Sequence, residues 1–234
     1  MTPRAPQLHL SLDLPTRYSR ESFVTAPCNR RALQLLDSPA WPAGKMLLTG
    51  PAGSGKTHLL HIWAQESAAA VLDARELATL ELRRLAPMPA LAIDNAERVA
   101  GDAMAERALL HLHNILSAEG GRMLLTARAP SRDWGIQLAD LASRLQATAH
   151  VALDLPDDTL LAAVLHKLFA DRQVSISRQV IPYLVRHMER SLAAARELVA
   201  RLDAASIAQR RRISVQLARD VLAQMPQPQG NSAS

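Results

Sequence analysis

The sequence predicts an α/β protein in which a parallel β-sheet is covered by helices and is followed by a small all-helical domain. Short apolar runs alternate with amphipathic segments between residue 45 and residue 155, whereas only helical patterns follow Pro156. Strands that alternate with helices form crossover units, and these units build parallel sheets with helices on both faces. A glycine-rich loop between the first apolar run and the first amphipathic segment is typical of the same architecture.

The predicted strands are apolar runs that are too short for helices and are bounded by glycine, proline or charged residues. They lie at 46–49, 70–72, 91–93, 123–126 and 150–155. The segments between them have the apolar spacing of amphipathic helices. These predicted helices lie at 58–68, 75–85, 103–118 and 138–145. The sheet and its helices therefore form a base domain that spans residues 18–155.

Residues 156–225 are predicted to form a second, helical domain. Asp157 follows a proline and suits the N-cap of its first helix, because a carboxylate there accepts from free backbone N–H groups. Helices are expected at 158–171, 178–187, 191–209 and 214–224. The proline-containing residues 1–17 are expected to be a flexible arm, and residues 226–234, rich in Pro, Gln, Gly and Ser, a disordered tail.

The composition points to a cytoplasmic protein with an anionic partner. The chain has 234 residues, a formal charge of +5 and a sequence pI of about 10.1. That charge fits either an arginine-rich solvated surface or a polyanion such as a nucleotide or nucleic acid. The single cysteine, Cys28, can form no internal disulfide. No apolar stretch approaches the roughly 18 residues of a membrane span, so no membrane association is expected.

A glycine-rich loop carries the strongest functional signal. Its backbone N–H groups can curl toward one centre, and the helix that follows adds its positive end, so the loop suits phosphate. Lys56 would bridge the β and γ phosphates of ADP or ATP, and Thr57 would offer its hydroxyl to Mg²⁺. An ordinary glycine-rich turn is the alternative, but a predicted strand before the loop and a helix after it favour the phosphate site. The loop consists of Gly50, Pro51, Ala52, Gly53, Ser54, Gly55, Lys56 and Thr57.

A second acidic element ends the predicted strand at 91–93. Asp94 is expected to contact the water shell of the magnesium ion, although a carboxylate there could instead cap the next turn. The next residue is Asn95, whose amide cannot accept a proton from water. Glu97 is interpreted as a surface residue rather than as a substitute. The sequence therefore predicts tight nucleotide binding with intrinsic hydrolysis well below several turnovers per second.

With these elements in place, the chain resembles the DnaA/Hda family of bacterial replication proteins over most of residues 7–224. Phe23, Val24 and Asn29 resemble the family segment that packs near the adenine, and the run from Ile93 to Asn95 is closer to the shorter Hda-type members than to DnaA. The resemblance implies an AAA+ P-loop domain with a five-stranded parallel sheet, followed by a small all-helical lid domain. It also implies ADP or ATP and Mg²⁺ as cofactors.

The resemblance assigns roles to two arginines. Arg144, in the run from Leu141 to Leu145, resembles the family's arginine finger, which acts in trans on a neighbouring subunit. Arg190 stands where the family has its second sensor arginine. A guanidinium beside the γ-phosphate neutralises charge that develops during transfer. Without the resemblance, both would be ordinary lid or helix arginines. The run from Thr126 to Arg128 departs from the family's first sensor because its aspartate is missing.

The arm contains a run that resembles the peptide by which Hda and polymerases bind the β sliding clamp of DNA polymerase III. An extended peptide of this kind pins its glutamine by hydrogen bonds and inserts leucines into an apolar cleft. The alternative is an extra edge strand that packs on the body. The residues expected to contact the clamp are Gln7, Leu8, Leu10 and Leu12.

The resemblance thus implies a regulator that docks on DNA-loaded clamp at the replisome and stimulates ATP hydrolysis by DnaA. DNA would be reached mainly through the clamp, and either a complex with DnaA or a homodimer would complete the finger site. One alternative is an autonomous ATPase such as a DnaC-type helicase loader. Another is an initiator without its terminal DNA-binding domain, because the chain ends about where that domain would begin; Arg210, Arg211 and Arg212 would then contact phosphates.

Overall fold

The computed structural model describes residues 18–38, 40–79 and 88–225. The predicted arm with its clamp-binding residues, the tail 226–234 and residues 80–85 of the predicted helix at 75–85 lie outside the described residues. No helix in the described part of the chain is long and apolar enough to cross a membrane.

The described strands form one parallel sheet, which confirms the predicted five-stranded architecture. Its order is β2-β3-β4-β1-β5, and every neighbouring pair is parallel. The last strand is shorter than predicted, since the chain leaves the sheet after Leu153, whose N–H still donates to Thr49 O at 2.7 Å. The strands are β1 Lys45–Thr49, β2 Ala70–Asp73, β3 Ala90–Asp94, β4 Arg122–Ala127 and β5 Ala149–Ala152.

The helices of the base domain cover both faces of the sheet. They are α1 Pro27–Leu36, α2 Lys56–Glu66, α3 Ala103–Ala118 and α4 Ala139–Gln146. Leu109 and Leu141 belong to the core on one face, whereas Leu33 and Leu60 belong to the core on the other. Side chains buried on both sides explain why the strands are continuous apolar runs rather than alternating ones.

Two helix assignments differ from the sequence prediction. The sequence analysis predicts no helix at Pro27–Leu36, where the structure has α1. Pro27 suits the first turn of this helix, because a backbone N–H at that position would have no partner within the helix. The helix predicted at 75–85 is also partly wrong, since Ala74–Thr79 forms a 3₁₀ helix. Its buried Ala74 and Leu77 pack into the same core as α3, so tertiary packing decides the local geometry.

The lid has its own apolar core, formed by α5 Asp158–Asp171, α6 Val180–His187, α7 Leu192–Gln209 and α8 Val215–Ala223. Asp157 is the N-cap of α5, as predicted, and its carboxylate accepts from Leu160 N at 2.7 Å. Val24, Ala26 and Cys28 of the base domain pack against the lid core. The segment that precedes α1 therefore connects the two parts of the molecule.

Candidate functional site

The predicted phosphate loop and its acidic partner lie side by side because three adjacent strands end at one edge of the sheet. The glycine-rich loop follows β1, Asp94 ends β3, and Thr126 lies near the end of β4 between them. The carboxyl ends of parallel strands are the usual position for ligand sites in open α/β sheets.

The loop has the backbone of an anion-binding loop. Gly50 has a φ of 152° and donates its N–H to Ala127 O at 3.2 Å. A Cβ atom at Gly50 would lie 2.5 Å from Leu153 O, so only glycine fits this close approach. The Ser54 hydroxyl is buried and has no hydrogen-bond partner among the residues that the structure describes. An orphaned hydroxyl in a glycine-lined loop fits the oxygen of a bound phosphate.

Lys56 lies in the first turn of α2, directly after the loop. Its Nζ donates to Gly50 O at 2.7 Å and to Pro51 O at 2.8 Å. Burial lowers the pKa of Lys56, while the nearby carboxylates of Glu97 and Asp94 raise it. The ammonium group is thus held over the loop by carbonyl oxygens, which phosphate oxygens can replace.

Asp94 accepts hydrogen bonds from two threonine hydroxyls. Thr57 Oγ1 donates to Asp94 Oδ2 at 2.9 Å, and Thr126 Oγ1 makes a short hydrogen bond to Oδ1. A threonine hydroxyl beside a carboxylate is the protein's part of a P-loop magnesium site. Among the described residues, no group of three His, Cys, Asp or Glu side chains could hold a metal ion. Thr57 and Asp94 would therefore hold Mg²⁺ together with the nucleotide's own oxygens.

The side chains of Asn95 and Glu97, which follow Asp94, have different partners. Asn95 has a left-handed backbone with a φ of 57°, and its Nδ2 donates to Asp73 Oδ2 at 3.0 Å, toward the end of β2. Glu97 is not the solvated surface residue that the sequence suggested, because its side chain is only 21% exposed. One of its oxygens lies 4.0 Å from Arg128 Nε, and the other is buried with no hydrogen-bond partner in the described part of the chain.

A cavity of about 580 Å³ lies between the base domain and the lid. Phe23, Val24 and His58 line it from the base, and residues of α5 and α7 line it from the lid. Asn29 is buried behind this wall, where its Oδ1 accepts from Ala26 N at 2.8 Å and its Nδ2 donates to Val24 O at 2.9 Å. Asn29 thus holds the backbone of Val24 and Ala26 in the predicted adenine segment, next to the cavity wall that Phe23 and Val24 form.

The first turn of α7 rests on the phosphate loop. Leu192 N donates to Gly53 O at 3.0 Å. Ser191 caps α7 by accepting from Ala194 N at 3.2 Å, and a Cβ atom at Gly53 would lie 2.3 Å from its hydroxyl oxygen. The lid is therefore in backbone contact with the loop that would carry the phosphates.

Arg190, the lid arginine that the sequence predicted to contact nucleotide, forms its ion pair with another residue of the lid. Arg190 Nη2 lies 2.5 Å from Asp158 Oδ1, and Nη1 is 3.4 Å from Pro156 O. The arginine that crosses to the base domain is Arg196, whose Nη2 lies 2.6 Å from His58 Nδ1. Sequence reasoning missed Arg196, although its spacing of four residues from Leu192 places both on one face of α7.

His58 is the base-domain partner of this lid contact. Burial lowers its pKa to about 4, and the positive charge of Arg196 acts in the same direction, while a backbone hydrogen bond with Ser19 opposes them. Because a guanidinium can only donate, the Nδ1 lone pair of neutral His58 accepts from Arg196. Protonation of His58 would remove that acceptor and place two cations together.

We expect the unfolding free energy to fall as the pH is lowered from about 6.5 to about 4. In this window the unfolded chain binds a proton at position 58 and the folded chain does not, so acid favours unfolding by up to about 3 kcal/mol. Urea unfolding at pH 7 and pH 4.5 measures the effect. His58→Gln should reduce the dependence, and replacement of the exposed His111 is the control substitution. An unchanged slope in His58→Gln would contradict the assignment.

Arg144, the predicted finger, lies on α4. Its Nε donates to Asp140 Oδ1 at 3.1 Å one turn earlier, and its side chain is 38% exposed. Leu141 and Leu145 are buried in the core of the base domain, so they fix which side of α4 faces inward. The guanidinium is therefore accessible from the surface.

Comparison with known proteins identifies a family model, relatives and solved structures that are similar to this chain. Residues 157–222 match the family model described as "Hda, lid domain". The chromosomal replication initiator protein DnaA of Sphingopyxis alaskensis is 29% identical over an aligned length of 250 residues. The alignment covers 95% of this chain and 54% of that protein. The chain thus spans about half the length of that relative.

Solved structures show the same fold. Domain III of DnaA from Thermotoga maritima aligns with a TM-score of 0.80 and 18% identity, over 92% of this chain and 99% of that one. AMPPCP-bound DnaA from Aquifex aeolicus aligns with a TM-score of 0.70 and 18% identity, over 82% and 66%. The RuvB branch migration motor of Thermotoga maritima aligns with a TM-score of 0.69 and 20% identity, over 88% and 72%.

The parallel sheet, the loop at Gly50–Thr57 and the helical lid together form the same fold as domain III of DnaA. Residues 157–222 are similar to the lid domain of Hda and the chain as a whole is similar to DnaA, in line with the resemblance seen in the sequence.

Proposed function

We propose that this protein is an ADP- or ATP-binding regulator of replication initiation that docks on the DNA-loaded sliding clamp and stimulates ATP hydrolysis by DnaA. The observation that carries the proposal is the match of residues 157–222 to the Hda lid. Hydrolysis would convert DnaA to an inactive form and so limit repeated initiation. The protein would then act at the replisome, in the cytoplasm.

Nucleotide binding in the base–lid cleft is the first part of this proposal. Phosphates would lie on the loop of Gly50–Thr57 with Mg²⁺ at Thr57 and Asp94, and the base would lie against Phe23 and Val24. The structure of Aquifex aeolicus DnaA with bound AMPPCP supports a nucleotide in this fold. The bound nucleotide would set the angle between base and lid, since α7 contacts the loop directly at Gly53.

The lid supplies two candidate arginines to this nucleotide. Arg190 remains the candidate from the family motif, and its pairing with Asp158 would have to open for it to reach a phosphate. Arg196 needs no such change to face the cleft, because it lines the cavity and contacts His58, two residues after Lys56. We therefore add Arg196 as the lid arginine that senses the nucleotide.

Slow intrinsic hydrolysis is the second part. In the position where many ATPases have a water-polarising carboxylate, Asn95 carries an amide, and that amide is turned onto Asp73. The chemistry that this protein promotes would then take place on ATP held by DnaA, with Arg144 entering that site from outside. The same arrangement is available to a homodimer, because Arg144 is exposed on α4.

The arm is tested by replacing Gln7, Leu10 and Leu12 together with alanine. We expect binding to the β sliding clamp to be lost and nucleotide affinity to stay unchanged, because the arm precedes the base domain in the chain. Surface plasmon resonance on immobilised clamp measures the first quantity, and fluorescent ADP titration the second. Arg4→Ala in the same arm is the control and should bind the clamp normally. Full clamp affinity in the triple variant would refute the docking role.

One structural feature favours an autonomous ATPase, such as a helicase loader, as a second candidate. Glu97 has a buried carboxylate oxygen without a hydrogen-bond partner, and its charge acts on Lys56. A carboxylate so placed could orient an attacking water in place of Asn95. Several turnovers per second by the purified protein alone, lost in Glu97→Gln, would favour this candidate over the regulator.

A further inference from the structure

Glu106 is a buried carboxylate that the phosphate site does not use. It lies in the first turn of α3, and the residue is 1% exposed. A buried carboxylate is costly unless hydrogen bonds satisfy its oxygens. Here both oxygens accept from Gln137 N at 3.1 Å, Oε2 accepts from Leu138 N at 2.8 Å, and Oε1 accepts from Gly101 N at 3.1 Å.

These hydrogen bonds hold the backbone at the start of α4, because their donors are the N–H groups of the N-cap residue Leu138 and of Gln137 before it. We call this contact the Glu106 cap. The N-cap residue of α4 is Leu138, whose side chain cannot accept a hydrogen bond. An uncapped helix start leaves N–H groups without partners and exposes the positive end of the helix dipole. Glu106 provides both the acceptors and the negative charge from a neighbouring helix, 32 residues away from Leu138 in the chain.

The same helix carries Arg144 in its second turn. Leu141 and Leu145 are buried and set the rotation of α4 about its axis, whereas Glu106 holds its first residues in place along that axis. Among the described residues, the Arg144 guanidinium itself pairs with the exposed carboxylate of Asp140, and surface pairs of this kind are weak. The direction of Arg144 therefore depends on the start of α4.

We infer that Glu106 is a positioning residue for the arginine finger, acting through the cap of α4 rather than by touching nucleotide. This inference rests on the proposed function of Arg144. A finger displaced by about 1 Å loses much of its effect on the transition state while the docking surfaces stay intact. The expected signature is a lower maximum rate with an unchanged half-saturating concentration.

The test uses Glu106→Gln in the full chain, with clamp loaded on DNA and ATP-bound DnaA. We expect the maximum stimulation of DnaA ATP hydrolysis to fall about tenfold, and the half-saturating concentration and nucleotide affinity to remain at wild-type values. Glu119→Gln makes the same chemical change at an exposed residue just beyond the other end of α3 and should have no effect. If Glu106→Gln does not fold, Glu106→Asp, which withdraws the oxygens by one methylene group, is expected to give the same fall.

A double-mutant cycle separates positioning from general damage. In the Arg144→Ala background, Glu106→Gln should cause no further loss of stimulation. An equal loss in both backgrounds would overturn the inference.

Hydrogen exchange tests the cap without any reference to DnaA. The amides of Gln137 and Leu138 should exchange at least tenfold faster in Glu106→Gln than in the wild type, and unchanged exchange would overturn the inference. If Arg144→Ala alone keeps full stimulation, the proposed function fails, and the exchange result still decides whether Glu106 caps α4.

Discussion

Replacing Arg144 with alanine is expected to lower the stimulation of DnaA ATP hydrolysis by about 10³-fold or more. The guanidinium would neutralise charge on the oxygens of the transferring phosphoryl group, and alanine supplies neither charge nor donors. Folding should be unaffected, because Arg144 is partly exposed and its pair with Asp140 lies on the surface, where such pairs contribute little. Clamp binding and nucleotide affinity should match the wild type.

The measurement is the release of phosphate from ATP-bound DnaA in the presence of clamp-loaded DNA. Arg107→Ala is a suitable control, since Arg107 is an exposed arginine on the neighbouring helix α3. Arg144→Lys adds information, because a lysine keeps the charge but loses the planar fork of donors. Stimulation that persists in Arg144→Ala would end the assignment of this residue as the finger.

Replacing Gly53 with alanine should disrupt both the phosphate loop and the lid contact. The backbone of Gly53 has a φ of 77°, which disfavours any residue with a Cβ atom by about 1–2 kcal/mol. The new methyl group would also lie 2.3 Å from Ser191 Oγ and 3.1 Å from Ser191 Cα, so either the loop or the start of α7 must move. We expect nucleotide affinity to fall at least 100-fold.

Gly101→Ala is the matched control for Gly53→Ala. Gly101 also has a positive φ, 83°, but a Cβ atom there would meet nothing within 4 Å. It therefore carries the backbone strain without the clash, and we expect its nucleotide affinity to remain close to the wild-type value. Isothermal titration with ADP and Mg²⁺ measures both variants. Equal losses in the two would show that strain alone matters and that the lid does not rest on the loop.

Local sequence signals were sufficient for most of the architecture. The strands are apolar on both faces and bounded by breakers, so their positions follow from the sequence alone. The lid helices repeat an apolar spacing, and Asp157 marks the start of α5 because a capping side chain acts within three residues of its partner. No helix was predicted at Pro27–Leu36, although the proline in its first turn is compatible with one. The 3₁₀ helix at Ala74–Thr79 is set by packing against the core rather than by its own sequence.

The residues of the candidate site also fall into two groups, those that the sequence predicted and those whose contacts only the structure shows. The spacing of Gly50, Lys56 and Thr57 is local, and the conformation of their loop follows from where glycine is required. By contrast, the side-chain environments that give Asn95, Glu97 and Arg190 their roles could not be predicted. Asn95 turns toward Asp73, a residue 22 positions earlier, and Arg190 pairs with Asp158, 32 positions earlier. Such pairings depend on how the chain packs, and single-sequence patterns do not record them.

The sequence by itself determined that this protein has a glycine-rich loop after a strand, an aspartate at the end of a neighbouring strand and a helical lid. Those features depend on residue types within a few positions of one another. Only the tertiary structure decided that Arg196 of the lid meets His58, 138 residues apart, and that Glu106 caps the helix of Arg144. The reason is physical: buried polar groups must find partners, and the partner is whichever group the fold brings within hydrogen-bond distance.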